Sequence, residues 1–165
     1  MIGVKGYELA LLYHSNYRWI ALIALLILFV WTLLAHRKRA IYTTQALRIN
    51  IVLTILITIQ GLIGLALYSV SPIAQTFWTD ISLYIKNRQV RFFGLEHIFM
   101  MSLGIILLWY NLIRSKKFLQ QVGYFSRQLK MIIWILLIIL TSIPWSFSPL
   151  TSRPNYRTYA NPTGR

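Results

Sequence analysis

The chain has 165 residues, of which 57% are hydrophobic and only 12% are charged. An ordinary soluble domain carries about 25% charged residues, so this composition predicts an integral membrane protein. The absence of cysteine excludes disulfides, thiolate metal sites, iron–sulfur clusters and c-type haem attachment. The basic residues behind the +14 net charge lie at the ends of apolar runs, which argues against a nucleic-acid partner.

Four apolar runs follow one another along the chain, each near the ~20 residues that cross ~30 Å of hydrocarbon. We therefore predict an all-α protein, a four-helix up-down bundle in the lipid bilayer, that occupies residues 1–147. Residues 148–165 hold Pro149, Pro154 and Pro162, and we expect an extended, outward-facing tail there. The predicted spans cover about residues 12–35, 49–68, 92–113 and 131–145.

The basic residues indicate how the bundle is oriented in the membrane. The two short connections, residues 36–48 and 114–130, hold nine of the 17 lysines and arginines and none of the acids. Such dense positive charge is typical of cytoplasmic loops. We therefore expect both chain termini to face outward.

The connection between the second and third spans, residues 69–90, has helical features of its own. Ser71 and Pro72 are the residue types that commonly cap and begin a helix. Aromatic and apolar residues then recur at helical spacing, and aromatic rings favour the membrane interface. We predict a short interfacial helix here; the alternative is an irregular loop with scattered aromatic residues. The recurring residues are Phe77, Trp78, Ile81, Tyr84 and Ile85.

The sequence offers no motif of side-chain catalysis. It has no phosphate-binding glycine loop, no HExxH pair and no serine nucleophile elbow, so we do not expect a stand-alone enzyme. Ionisable residues inside membrane segments are costly, which makes them candidates for function. His14 lies near the start of the first span and His97 near the start of the third. Counting ~1.5 Å per residue from the loop ends places both histidines in the outer half of the bundle.

Two interpretations fit these histidines. Histidines from two helices of a bundle can bind one haem from both sides, provided that small residues leave room for the macrocycle. Gln60, Gly61 and Gly64 lie at a similar depth on the second span. Alternatively, the glycines mark a close helix–helix contact and the histidines belong to a hydrogen-bonded polar cap. The other members of that cap would be Arg18, Arg91 and Glu96.

A resemblance to a known family rests on four segments: HSNYRW at 14–19, QGLIGLALY at 60–68, RFFGLEH at 91–97 and IPW at 143–145. In these segments the chain resembles a family of small bacterial four-helix membrane proteins commonly labelled cytochrome b-like, and the similarity covers residues 13–147. The resemblance implies electron transfer by one haem b, with His14 and His97 as axial ligands, in the bacterial inner membrane. Better-known four-helix b cytochromes often use more histidines, whereas this chain has enough for one haem.

The positions of neighbouring residues suggest roles for them. With haem bound, Arg18 and Arg91 would neutralise its propionates, and Glu96 would orient a ligand nitrogen or accept a proton at a quinol site. A quinone is thus a second candidate cofactor. The expected partners are the lipid bilayer together with redox partners or other membrane subunits. The competing hypothesis is a cofactor-free accessory subunit of a larger membrane complex, which would use the outward cap and the tail as contacts.

Overall fold

A computed structural model describes residues 4–148 of the chain. This part is helical and contains no β-strand. The tail predicted for residues 148–165 lies outside the described residues, apart from Ser148. The helices are α1 (Val4–Arg37), α2 (Thr44–Val70), α3 (Pro72–Thr79), α4 (Ile81–Tyr84), α5 (Arg88–Phe118) and α6 (Tyr124–Ser142).

Four of these helices, α1, α2, α5 and α6, are long and apolar enough to cross a bilayer. Their outer faces carry large hydrophobic side chains that no other part of the described chain covers, and in lipid such a surface needs no cover. The protein is therefore a multi-pass membrane protein, and the predicted four-helix bundle is confirmed. Side chains more than half exposed include Ile23 on α1, Leu62 on α2, Ile106 on α5 and Trp134 on α6.

The four long helices form a square. Each packs against the next one along the chain, and α6 packs back against α1. Helices α1 and α5 consequently stand on one diagonal and face each other across the interior. Leucine and isoleucine side chains from all four helices fill the middle of the bundle, among them Leu25, Ile57, Leu108 and Ile135, each less than 5% exposed.

The helices do not coincide with the apolar runs. Helix α6 starts at Tyr124, before the predicted span, and ends at Ser142, before the predicted end at Trp145. Ile143 is extended, with φ −80° and ψ 131°, because the ring of Pro144 disfavours helical geometry in the residue before it. The early end leaves the last carbonyl groups of α6 without partners in their own helix.

The connection between the second and third spans is helical, as predicted, but it forms two short helices, α3 and α4, that extended Asp80 separates. The N-cap of α3 is Ser71, whose side chain accepts from the Ala74 amide, and Pro72 is its first residue. Phe77 is buried against α5, while Trp78 is more than half exposed. The capping residues therefore fix the start of α3, as the sequence indicated.

At the opposite end of the bundle the two short loops are joined to each other. Ile41 and Val122 form an isolated antiparallel bridge. Beneath it, the buried rings of Tyr42, Tyr124 and Phe125 pack together, with the two tyrosine ring centroids 4.3 Å apart. This aromatic cluster closes the basic end of the bundle, which we call the loop end.

Candidate functional site

His14 and His97 meet inside the half of the bundle that lies away from the loop end. Their imidazole centroids are 6.3 Å apart, and the ring planes are nearly perpendicular at 87°. Because α1 and α5 are diagonal neighbours, the two side chains face each other across the interior of the bundle rather than along one helix contact. The sequence placed both histidines in the same half, and the structure brings them together.

A π-helical turn, Phe92–Glu96, immediately precedes His97 in α5. The amide of His97 donates to the carbonyl of Phe92, five residues earlier. Such turns interrupt the regular helical register and are frequent at functional sites. The rings of Phe92 and Phe93 flank the His97 imidazole, with centroids 5.7 and 6.2 Å from it. The hydropathy pattern carries no sign of this turn, so sequence reasoning missed it.

The end of α6 holds the His97 ring. Its Nδ1 atom lies 2.7 Å from the carbonyl oxygen of Ser142, the last residue of that helix. A carbonyl oxygen only accepts, so Nδ1 carries a proton and donates it, and Nε2 keeps its lone pair. The unpaired helix end therefore fixes the orientation of the imidazole and leaves Nε2 able to bind a metal.

Helix α2 holds the His14 ring. A Cβ atom at Gly64 would lie 2.8 Å from the imidazole Cε1, so glycine at this position lets the ring approach the helix backbone. The side-chain Nε2 of Gln60 donates to the His14 carbonyl at 2.9 Å and lies 3.3 Å from its Nδ1. The Oε1 atom of Gln60 is buried without a hydrogen-bond partner among the described residues, which leaves a free acceptor beside His14.

Gly61 has a different role from Gly64. A Cβ atom at this position would collide with the side chain of Ile105 on α5. Gly61 therefore allows close packing of α2 against α5, as the helix-contact interpretation expected. On this face of α2, Gly61 makes room for Ile105 and Gly64 makes room for the His14 ring.

The two imidazoles border a cavity of about 450 Å³. This volume falls in the ~300–1,000 Å³ range of small-molecule sites. Leu62, Leu65 and Ile106 line the cavity and are also more than half exposed, so it opens toward the lipid-facing surface between α2 and α5. The rest of the wall is mainly aliphatic, with polar side chains that include Ser15, Arg18, Gln60 and Tyr68.

Of the eight candidate site residues from the sequence, Arg91 and Glu96 do not line the cavity. Arg91 Nε and Glu96 Oε1 form a 2.6 Å ion pair, and both side chains are more than a third exposed. Arg91 also donates through Nη1 to the Ile85 carbonyl. In the structure, therefore, Ser142 and not Glu96 orients a histidine. The six candidates that do line the cavity are His14, Arg18, Gln60, Gly61, Gly64 and His97.

A set of aromatic contacts links α2, α3 and α5 beside the cavity. The Tyr68 hydroxyl donates to the Gly94 carbonyl at 2.6 Å and accepts from the Trp78 indole at 2.7 Å. Phe77 packs directly on Gly94, where a Cβ atom would collide with it. These contacts hold the π-helical turn, and with it His97, against the rest of the bundle.

The donor set suits haem better than a bare metal ion. Among residues 4–148, no group of three or more histidine, cysteine, aspartate or glutamate side chains comes together. Haem brings its equatorial ligands with it and needs only two axial histidines from the protein. The fold and site thus define a multi-pass four-helix membrane protein with a facing histidine pair. Comparisons of the chain with protein-family models, with curated proteins and with solved structures found no significant match.

Proposed function

We propose that the protein binds one haem b between His14 and His97 and carries single electrons in the membrane. The observation that supports this most directly is the pair of imidazoles, 6.3 Å apart between centroids, at the edge of one cavity. His14 and His97 would be the two side chains that hold the haem iron, each through a ring nitrogen.

The surroundings of each histidine support a role as ligand. Metal-bound histidines generally donate their other ring nitrogen to a fixed acceptor, and the Ser142 carbonyl supplies that acceptor for His97. For His14, Gln60 donates through Nε2 to the backbone carbonyl and lies 3.3 Å from Nδ1, so this side chain ties the start of α1 to α2 beside the ring. Gly64 has no side chain, so the His14 ring can lie close to the backbone of α2.

Arg18 is the cavity residue suited to haem propionates. Its guanidinium lies 5.5 Å from the centroid of the Trp19 ring, at the end of the cavity that the histidines occupy. Guanidinium groups bind carboxylates strongly through charge-assisted hydrogen bonds. Arg91 is a poorer candidate than the sequence suggested, because Glu96 already neutralises it.

Haem with two axial imidazoles has no open coordination position, so when bound it would supply one-electron transfer rather than oxygen chemistry. We place the loop end in the cytoplasm of a bacterial cell and the histidine half near the periplasmic face of the inner membrane, on the density of basic residues in the two loops. The electron would then pass to or from a partner in that half of the bilayer.

A quinone is a second candidate ligand. The lateral opening beside Leu62 and Ile106 favours a molecule that enters from lipid. In this version His97 Nε2 and Gln60 Oε1 would accept hydrogen bonds from the hydroxyls of the reduced quinol. The protein would then act as a quinone-binding anchor for other subunits. Extraction of the purified protein with organic solvent, followed by mass spectrometry, tests for it.

The haem proposal is tested by a dithionite-reduced minus oxidised spectrum of the purified protein. We expect a sharp α-band of b type in the wild type, and its loss in both His14→Ala and His97→Ala. His36→Ala is the matched control, since His36 is exposed at the loop end, and it should keep the band. Folded protein that shows no band when supplied with haem would overturn the proposal and favour the cofactor-free accessory subunit.

A further inference from the structure

A layer of buried polar side chains crosses the bundle near its loop end, and none of these side chains lines the histidine cavity. All four long helices contribute to it, and every member is at most 5% exposed. At ~1.5 Å per residue, most of these side chains lie within about 9 Å of the helix ends, and one lies a turn deeper. The members are Thr32 on α1, Asn50 and Thr54 on α2, Asn111 on α5 and Gln128 on α6.

Many polar atoms of this layer have no hydrogen-bond partner among residues 4–148. They comprise two hydroxyl oxygens, two amide oxygens and two amide nitrogens. Buried polar groups almost always have a partner, and in hydrocarbon an unpaired one is especially costly. Six such atoms in one layer therefore point to a ligand. The atoms are Thr32 Oγ1, Asn50 Oδ1, Thr54 Oγ1, Asn111 Nδ2, Gln128 Nε2 and Gln128 Oε1.

Rotation of the amides does not supply the missing partners. Asn50 Nδ2 donates to the Tyr42 hydroxyl, and Asn111 Oδ1 accepts from the Tyr124 hydroxyl. Because a tyrosine hydroxyl can donate or accept, turning either asparagine amide over would keep this bond and only exchange which of its two polar atoms lacks a partner. Turning the Gln128 amide over only exchanges two atoms that both lack a partner. The layer needs donors and acceptors beyond those that residues 4–148 supply.

We propose that this layer binds a cluster of internal water molecules that bridges the four helices. The unpaired atoms include both donors and acceptors. A water molecule can bond to both kinds, whereas a cation would bind only the oxygen atoms. No carboxylate belongs to the layer to balance a cation's charge. A buried water makes about three hydrogen bonds, so six unpaired atoms correspond to about two water molecules, more if the waters also bond each other.

The proposal goes beyond the haem site and does not depend on it. None of the five layer residues lines the cavity, although Ile57 and Thr58, in the turn of α2 that follows Thr54, do. The water would fix the register of the helices at the loop end, where the bridge between Ile41 and Val122 already ties the loops together. A failure of the haem proposal would leave this inference untouched, and the reverse also holds.

Water-edited solid-state NMR of the ¹⁵N-labelled protein in lipid bilayers tests the proposal. We expect rapid transfer of magnetisation from water to the side-chain NH₂ groups of Asn111 and Gln128. The backbone amides of Leu108 and Ile135 are equally buried and should receive it slowly, which makes them the control. Transfer to the two NH₂ groups as slow as to the controls would overturn the proposal.

Gln128→Met gives an independent readout, because methionine has a similar length but no polar amide. If water fills the layer, this variant removes partners of the water and lowers the unfolding temperature. If the layer is dry, the variant removes two unpaired polar atoms and raises the unfolding temperature. Should this variant fail to fold, the NMR measurement on the wild type still decides.

Discussion

A 2.7 Å hydrogen bond joins the His97 Nδ1 atom to the Ser142 carbonyl oxygen, across the contact between α5 and α6. The acceptor is a backbone atom, so no side-chain substitution at 142 removes it. This bond determines which nitrogen of His97 is available to a ligand.

The first prediction concerns the tautomer of His97. In haem-free protein we expect the proton on Nδ1, because the Ser142 carbonyl can only accept it. The ¹⁵N shifts of selectively labelled histidine distinguish the two ring nitrogens. His36, which is exposed and lacks such an acceptor among the described residues, provides the comparison within the same spectrum. A proton found on Nε2 of His97 would contradict the assignment of that atom as the ligand.

The second prediction concerns the contact of Gly64 with His14. Gly64→Ala places a methyl group 2.8 Å from the imidazole Cε1, so the ring must move. We expect haem affinity to fall at least about tenfold, which corresponds to ~1.4 kcal/mol. Titration of the purified protein with haem measures this change.

Gly104→Ala is the matched control for that substitution. Its added methyl group would meet Ile139 Cγ1 at 3.1 Å, a contact that a small side-chain movement relieves. We expect nearly unchanged haem affinity, and a small gain of stability because alanine favours a helix over glycine by about 0.5–1 kcal/mol. Equal losses of affinity in both variants would indicate a general packing effect rather than displacement of His14.

The third prediction separates the two arginines that the sequence treated alike. Arg18 lines the cavity, whereas Arg91 is paired with Glu96 and is partly exposed. Arg18→Gln removes a positive charge near the haem and should lower its midpoint potential by tens of millivolts, ~59 mV being a tenfold change for one electron. Arg91→Gln should change the potential far less, because solvent screens an exposed pair. A potentiometric titration of both variants decides which arginine lies near the propionates.

Most of the helical framework is predictable from the sequence, because membrane spans need long apolar runs and the start of α3 has a serine–proline cap. The facing histidines are also predictable in outline, since rise per residue places His14 and His97 in the same half. The sequence does not reveal that Ser142 holds His97, because its carbonyl is available only where α6 ends. Pro144 is the available signal, as it forces the helix to end before it.

Three other features are not encoded in the hydrophobic periodicity of the sequence. The π-helical turn before His97 changes the helix register without changing the hydropathy of the segment. The separate roles of Gly61 and Gly64 follow from which side chain approaches each one, Ile105 or His14. The pairing of Arg91 with Glu96 likewise reflects that turn, since the two residues are five positions apart.

The fourth prediction concerns Tyr68, which links α2, α3 and the π-helical turn. Tyr68→Phe removes one hydrogen bond to the Gly94 carbonyl and one from the Trp78 indole. We expect a loss of about 2 kcal/mol at roughly 1 kcal/mol per bond, or ~4–8 °C in the unfolding temperature. Tyr13→Phe is the control, since Tyr13 is 64% exposed and has no hydrogen bond among the described residues. An unchanged unfolding temperature for Tyr68→Phe would show that the link contributes nothing to stability.

The fifth prediction concerns Asp80, the N-cap of α4. Its carboxylate accepts from the Ser82 hydroxyl at 2.7 Å and from the Leu83 amide at 3.0 Å. These bonds, the Ser82 hydroxyl foremost, hold the pKa of Asp80 below its ordinary value of 3.8. Because the pKa is lower in the folded state, the carboxylate stabilises the fold above pH 3.8 and loses this contribution as the pH falls through the lowered value.

A ¹³C NMR titration of the Asp80 carboxyl group measures that shift directly. The midpoint should lie below 3.8 in the wild type and move back toward it in Ser82→Ala, because the hydroxyl donor is gone. Ser69→Ala is the control: the Ser69 hydroxyl donates to the Ala66 carbonyl and does not contact Asp80, so the midpoint should stay at the wild-type value. Identical midpoints in the wild type and Ser82→Ala would mean that the backbone amides of Ser82 and Leu83 lower the pKa without the hydroxyl.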